Sequence, residues 1–188
     1  FFNGIGHVIP LVEALHQEYP WLTYDVTIKV EHLLKHTAHL PTLRQTGCSL
    51  ITSAVESIDD RVLDILDKGH TLEDFIQVVH LCRIEGLVLN PTFVAFTPWT
   101  SLAGYLDLLA ALVDLDLVDQ VAPIQLAIRL LIPAGSKLLE LPRVQALVGS
   151  FEQERLSYAW EHPDPRMDEL HAQIMALVRQ RGATNASR

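Results

Sequence analysis

Lys29, Glu31, Ser53, Glu56, Asn90, Thr92, Gln125 and Arg129 are polar residues set inside apolar runs of strand length. They comprise two cations, two carboxylates, two hydroxyls and two amides. Side chains alternate faces along a strand with a period of two. Tyr24, Val26, Ile28 and Val30 therefore share one face of the first run, opposite Asp25, Thr27, Lys29 and Glu31. In the second run Thr52 and Glu56 oppose Ser53. In the third, Asn90 and Thr92 oppose Leu89 and Phe93. In the fourth, Gln125 and Arg129 oppose Ile124, Leu126 and Ile128. A parallel strand covered on both faces is normally apolar on both. A buried polar group costs roughly 1–3 kcal/mol unless it is paired. Four runs bearing that cost point to a shared polar cavity at the C-terminal ends of the strands, where βα folds hold ligands. The pattern also fits an exposed sheet face or a structural ion-pair network.

Other residues carry weaker signals. Trp99, beside Pro98, suits stacking on a base or substrate ring, and suits loop packing equally. His32, His36 and His39 fall at i, i+4 and i+7, a metal-ligating pattern that no Cys, Asp or Glu completes at the expected spacing. Such spacing is more often a solvated helix face. Cys48 and Cys82 form no metal motif and read as small buried hydrophobes. Gly4-Ile-Gly6 opens a helix and reads as a plain turn. No Gly-x-Ser-x-Gly nucleophile elbow occurs.

The elements that must position these residues follow from periodicity. Strands are expected over 22–31, 49–56, 87–96 and 121–129. Helices are expected over 6–19, 33–46, 59–67 and 101–117. A further helix starts at Thr71, where Asp74 completes a capping box, and ends at Gly86. This alternation demands a parallel sheet. After Pro133 the pattern changes: 138–151 is broken by Pro142 and Gly149, 164–180 is an amphipathic helix, and 181–188 is expected to fray.

The chain has 188 residues, 49% hydrophobic and 20% charged, one domain's worth of globular composition. Fourteen Lys and Arg against 23 Asp and Glu give a net charge of −9, which disfavours non-specific nucleic-acid binding. No signal peptide or membrane span is read. The uncharged stretch 87–106 holds Pro91 and Pro98 and reads as a strand and a turn. Two free thiols suit a reducing, cytoplasmic setting.

Two segments bear a family resemblance. Thr52-Ser-Ala-Val-Glu-Ser-Ile-Asp-Asp-Arg-Val-Leu63, followed by Leu66-Asp-Lys-Gly-His-Thr71, resembles the fourth strand and following helix of radical S-adenosylmethionine (radical SAM) enzymes. The branch is the cobalamin-associated and methylthiotransferase-like one. A finer resemblance is to the group whose members end in a Cys- or selenocysteine-Ala-Glu-Pro tail, which is not present here. Phe93-Val-Ala-Phe-Thr-Pro-Trp-Thr-Ser-Leu-Ala-Gly-Tyr105 resembles the next strand and its Pro-containing turn. Val121-Ala-Pro-Ile-Gln-Leu-Ala-Ile-Arg129 resembles the last barrel strand, and Phe1-Phe-Asn-Gly the loop after the second strand.

The resemblance implies an α/β fold: a partial (β/α) barrel of parallel strands with outer helices over 1–133, and a helical extension over 134–188. It implies S-adenosylmethionine and a 4Fe–4S cluster as cofactors of a longer parent. The cluster needs a Cys-x3-Cys-x2-Cys loop, and neither that loop nor the Gly-Gly-Glu segment occurs here. The chain is accordingly expected to be a fragment, inactive alone. Cofactor contacts are implied for Lys29, Glu31, Ser53, Glu56, Gln125 and Arg129, and substrate contacts for Asn90, Thr92 and Trp99. The expected partners are that cofactor and a small-molecule substrate, with self-association through an exposed edge strand. Two other readings stay open: a non-catalytic βα domain binding a small polar metabolite, and an interaction module docking through 164–180.

Overall fold

The computed structural model describes residues 1–185, with side chains to 181. In chain order the elements are α1 (Ile5–Glu18), β1 (Tyr24–Thr27), α2 (Val30–Lys35), α3 (Leu40–Gln45), β2 (Cys48–Glu56), α4 (Asp60–Ile65), α5 (Leu72–Ile84), β3 (Leu89–Phe93), α6 (Leu102–Asp114), α7 (Pro142–Gln145), β4 (Val148–Glu152), β5 (Ser157–Trp160) and α8 (Pro165–Asn185). They form two compact units. The first is Phe1–Phe93 with Ala110–Val121; the second is Val94–Leu109 with the chain from Ala122 onward.

The first unit is a parallel sheet in the order β1-β2-β3. α2 and α3 make one crossover, α4 and α5 the other. The hydrophobic face of the sheet is read directly from alternation: Val26, Ile51, Val55, Leu89 and Phe93 are buried. Buried Leu33, Leu43, Leu63, Phe75 and Val79 belong to the crossover helices. The hydroxyl of Thr71 accepts the Asp74 N–H at 3.2 Å, and the Asp74 carboxylate accepts the Thr71 N–H at 2.8 Å. That closes the capping box expected from the sequence. Gly47, at φ +96, ends the α3 segment; a Cβ there would lie 2.6 Å from the Leu22 carbonyl oxygen, so only glycine fits.

The second unit is built around residues 128–132. Phe96 N–H donates to Ile128 O at 3.0 Å and Leu130 N–H to Phe96 O at 2.8 Å, a single parallel bridge between Phe96 and Arg129. Tyr158 N–H donates to Ile132 O at 2.9 Å, and the Trp160 indole donates to Leu130 O at 2.9 Å. These bonds seat the antiparallel β4–β5 hairpin on the segment.

Several expected elements differ. The strand expected over 22–31 stops at Thr27, because Lys29 turns into α2 and accepts the Leu33 N–H at 3.0 Å. Glu31 thus lies in the first turn of a helix, where an acidic side chain suits the dipole. The helix expected over 33–46 breaks at His36 into a 3₁₀ turn, Thr37–His39, and α3. Pro41 explains the break, since a proline inside a helix removes a hydrogen bond and clashes with the preceding turn. The strand expected over 121–129 is a 3₁₀ helix, Pro123–Ala127, opened by its proline; Gln125 sits in that helix and only Arg129 reaches the bridge. The β4–β5 hairpin lies in a region expected to be helical. α8 is assigned to Asn185, and 186–188, the end of the tail expected to fray, lie outside the described residues. The fold is mixed α/β with a parallel sheet, and no closed sheet occurs among the described residues. None of its described helices is long and apolar enough to cross a membrane.

Candidate functional site

The face of the sheet opposite the buried one is polar. Thr27 pairs with Thr52, and Thr52 with Asn90, so three polar residues line up across the strands. Ala54 pairs with Thr92 in the next row. Asn90 Nδ2 donates to Thr52 Oγ1 at 3.4 Å, and the Thr92 hydroxyl donates to the Ser53 carbonyl at 3.5 Å. Thr52, Asn90 and Thr92 are half-buried, and Thr27 is exposed. Ser53 points the other way. It is wholly buried on the face of Ile51 and Val55, and its hydroxyl has no hydrogen-bond partner.

At the C-terminal end of β2 the chain concentrates charge. Glu56 follows a register shift in the β2–β3 pairing and holds φ +68, a left-handed conformation rare for a residue with a side chain. Bulges and backbone strain of this kind gather at functional sites. The Lys68 ammonium donates to the Glu56 carboxylate at 2.8 Å, both side chains about three-quarters buried. His70 holds the same turn against the strand: its ring nitrogens lie 3.2 Å from the Val55 carbonyl oxygen and 3.3 Å from that of Lys68. Between them Gly69 takes φ +69 beside the Glu31 carboxylate, where a Cβ would come within 2.7 Å of Oε2. Glu31 in turn pairs with Lys29 at 3.3 Å and approaches His32 at 3.4 Å. The structure therefore brings Lys29, Glu31 and Glu56 to one end of the sheet, around the Lys68–His70 turn. Lys68 and His70 were not singled out from sequence, although the Lys-Gly-His-Thr turn that carries them was.

The remaining residues belong to the second unit. Arg129 is engaged three times: Nη1 donates to Asp168 at 2.5 Å, Nη2 donates to the Trp160 carbonyl at 2.7 Å, and the guanidinium stacks 3.6 Å over the Trp160 ring. Gln125 is half-buried in its 3₁₀ helix. Trp99 sits in a turn where its N–H donates to the Thr97 hydroxyl at 3.2 Å. In the first unit, the His36 ring lies against those of His32 and His39, with centroids 6.3 and 6.4 Å away. Burial and the neighbouring Lys35, His32 and His39 lower the pKa of His36.

A 4Fe–4S cluster takes cysteine thiolates, and this chain does not fit one. Its two cysteines are both buried. Burial raises the thiol pKa of Cys48 and, with Cys48 nearby, pushes that of Cys82 up to about 12. Among the described residues no group of three His, Cys, Asp or Glu could hold a metal ion.

No protein-family model and no curated protein matches the chain. Solved structures do. One is OxsB, a cobalamin-dependent S-adenosylmethionine radical enzyme, with aqua-cobalamin and S-adenosylmethionine bound. It superposes with a TM-score of 0.67 at 15% identity, over 89% of this chain and 30% of OxsB. Apo OxsB gives 0.69 at 17% identity, over 88% and 30%. TsrM from Kitasatospora setae, a radical S-adenosylmethionine methyltransferase with tryptophan substrate and a SAM analogue bound, gives 0.51 at 20% identity, over 61% and 24%. The chain shares a fold with these enzymes and spans about 30% of the length of OxsB.

Proposed function

We propose that this chain is the strand-bearing part of a radical SAM enzyme of the cobalamin-associated branch. In this reading the three parallel strands are a segment of a (β/α) barrel over 1–133, followed by an extension over 134–188. The polar sheet face is the barrel interior, and the cluster thiolates come from another part of the parent protein. One observation carries the reading: a parallel sheet of the OxsB fold turns a row of polar residues to one face and ends it in the Glu56–Lys68 pair. When bound, S-adenosylmethionine with the cluster supplies the radical that abstracts hydrogen from substrate. The chain's own residues bind and orient. The Glu56 carboxylate accepts hydrogen bonds from ligand hydroxyls, and the Lys68 ammonium offers donors to a carboxylate. Lys29 and Glu31 flank the entrance, and Asn90 and Thr92 face the substrate. Ser53 shapes the covered side of β2. Arg129 holds the second unit together, and Gln125 and Trp99 lie in that same unit.

The test is a nuclear magnetic resonance titration of the 188-residue chain with S-adenosylmethionine at millimolar concentration. Amide shifts are expected at Glu56, Lys68, Asn90 and Thr92, and Glu56→Gln should weaken binding about tenfold, the worth of a hydrogen bond to a charged group. Shifts confined to the Ser53 face, or identical in Glu56→Gln, would refute the assignment. Anaerobic addition of iron and sulfide to this chain should give no 4Fe–4S absorption.

A further inference from the structure

The second unit carries a cleft of about 270 Å³ lined by residues 129–131, the β4–β5 hairpin and His171 of α8. Its apolar lining includes Leu130, Tyr158 and Trp160. Two of its polar groups are already committed. Arg129 is held by Asp168 and the Trp160 carbonyl. His171 has Nε2 3.1 Å from the Ala127 carbonyl oxygen, and burial lowers its pKa, so the ring is neutral at neutral pH. The lining has one further charged pair, and it is open to solvent. Arg155 Nη1 lies 3.0 Å from Glu152 Oε2, with the side chains 75% and 37% exposed.

An exposed pair like this stabilises the fold very little. Either partner can exchange the other for a ligand charge at small cost. The two ion pairs at the cleft, Arg129 with Asp168 and Arg155 with Glu152, sum to zero charge. The cleft therefore rewards neither a simple anion nor a simple cation. A molecule bearing both charges replaces the Arg155–Glu152 pair with two pairs, one to each side chain. The volume, just below the usual range of about 300–1,000 Å³ for drug-sized ligands, suits one small molecule. We propose that this cleft binds a zwitterionic α-amino acid with an apolar side chain: the carboxylate on Arg155, the ammonium on Glu152, the side chain against Trp160 and Tyr158. The site lies wholly in the second unit and does not rest on the sheet-face reading.

The experiment follows the Trp160 indole N–H resonance, identified with Trp160→Phe, in the 188-residue chain. L-Phenylalanine, phenylacetate and phenethylamine are titrated separately. Phenylalanine should shift the resonance saturably, and each single-charge analogue should bind about fivefold more weakly. Arg155→Gln and Glu152→Gln should each weaken phenylalanine about fivefold, with the thermal midpoint unchanged. An unmoved resonance at about 20 mM phenylalanine overturns the proposal. So does phenylacetate or phenethylamine binding as tightly as phenylalanine, or affinity unchanged in either variant.

Discussion

Glu56 accepts a strained backbone to put its carboxylate at the end of the middle strand. Such a conformation costs about 1–3 kcal/mol and persists because the neighbours hold it, here Phe93 in the β3 register and Lys68. Breaking a charge pair that is about three-quarters buried leaves the partner poorly solvated. Lys68→Met should therefore lower stability by about 1–2 kcal/mol, between the exposed and fully buried limits, read from urea unfolding midpoints. Ser53 predicts the opposite sign. Its buried hydroxyl has no partner, so Ser53→Ala should raise stability by about 1 kcal/mol in the same assay. A loss of stability would mean that the hydroxyl has a partner in solution. Glu56 was legible in the sequence because a carboxylate ends an apolar strand. Lys68 was not, because its position beside Glu56 depends on the chain returning across α4. Arg129 was legible as an unusual residue and not in its role: its partners, Trp160 and Asp168, lie 31 and 39 residues further on.

Among the elements, those with a local code were the readable ones. The Thr71–Asp74 box marks the start of α5 in the letters themselves. Removing its hydroxyl leaves the Asp74 N–H without its cap, so Thr71→Ala should cost about 1 kcal/mol, measured as a fall in thermal midpoint. The alternation of polar and apolar residues on β1, β2 and β3 survives in the burial of each strand. What failed was continuity. Residues 22–31 and 121–129 are apolar enough for strands, yet Lys29 turns one into a helix and Pro123 turns the other into a 3₁₀ helix. Composition describes which residues want burial. It does not say where the backbone bonds go, and the short β4–β5 hairpin, which carries the Gly149 break, offered no long period to read.

At the scale of the molecule, an excess of acidic groups and a few well-placed partners set the response to pH. Arg61 holds the Asp59 carboxyl below its usual range, and Arg166 does the same for Asp164. Burial works against Asp168, but hydrogen bonds from Arg129 and the His162 N–H outweigh it and lower its pKa too. Each binds its proton more weakly folded than unfolded. The stability they add is complete above the unfolded value of 3.8 and is lost as pH falls through the folded values. His171, lowered by burial from 6.5, adds a separate loss that begins as pH drops below that value. Thermal midpoints should therefore decline in two stages between pH 7 and 3, and Asp168→Asn should flatten the second.

The buried thiols have a practical consequence. A sulfhydryl with its pKa near 12 is unreactive towards maleimide while the chain stays folded. Alkylation of Cys82 then becomes a clock for opening of the first unit: its rate should climb with denaturant in step with loss of structure there. Rapid labelling in plain buffer would mean that the helix carrying it swings away from the strands far more often than its packing implies.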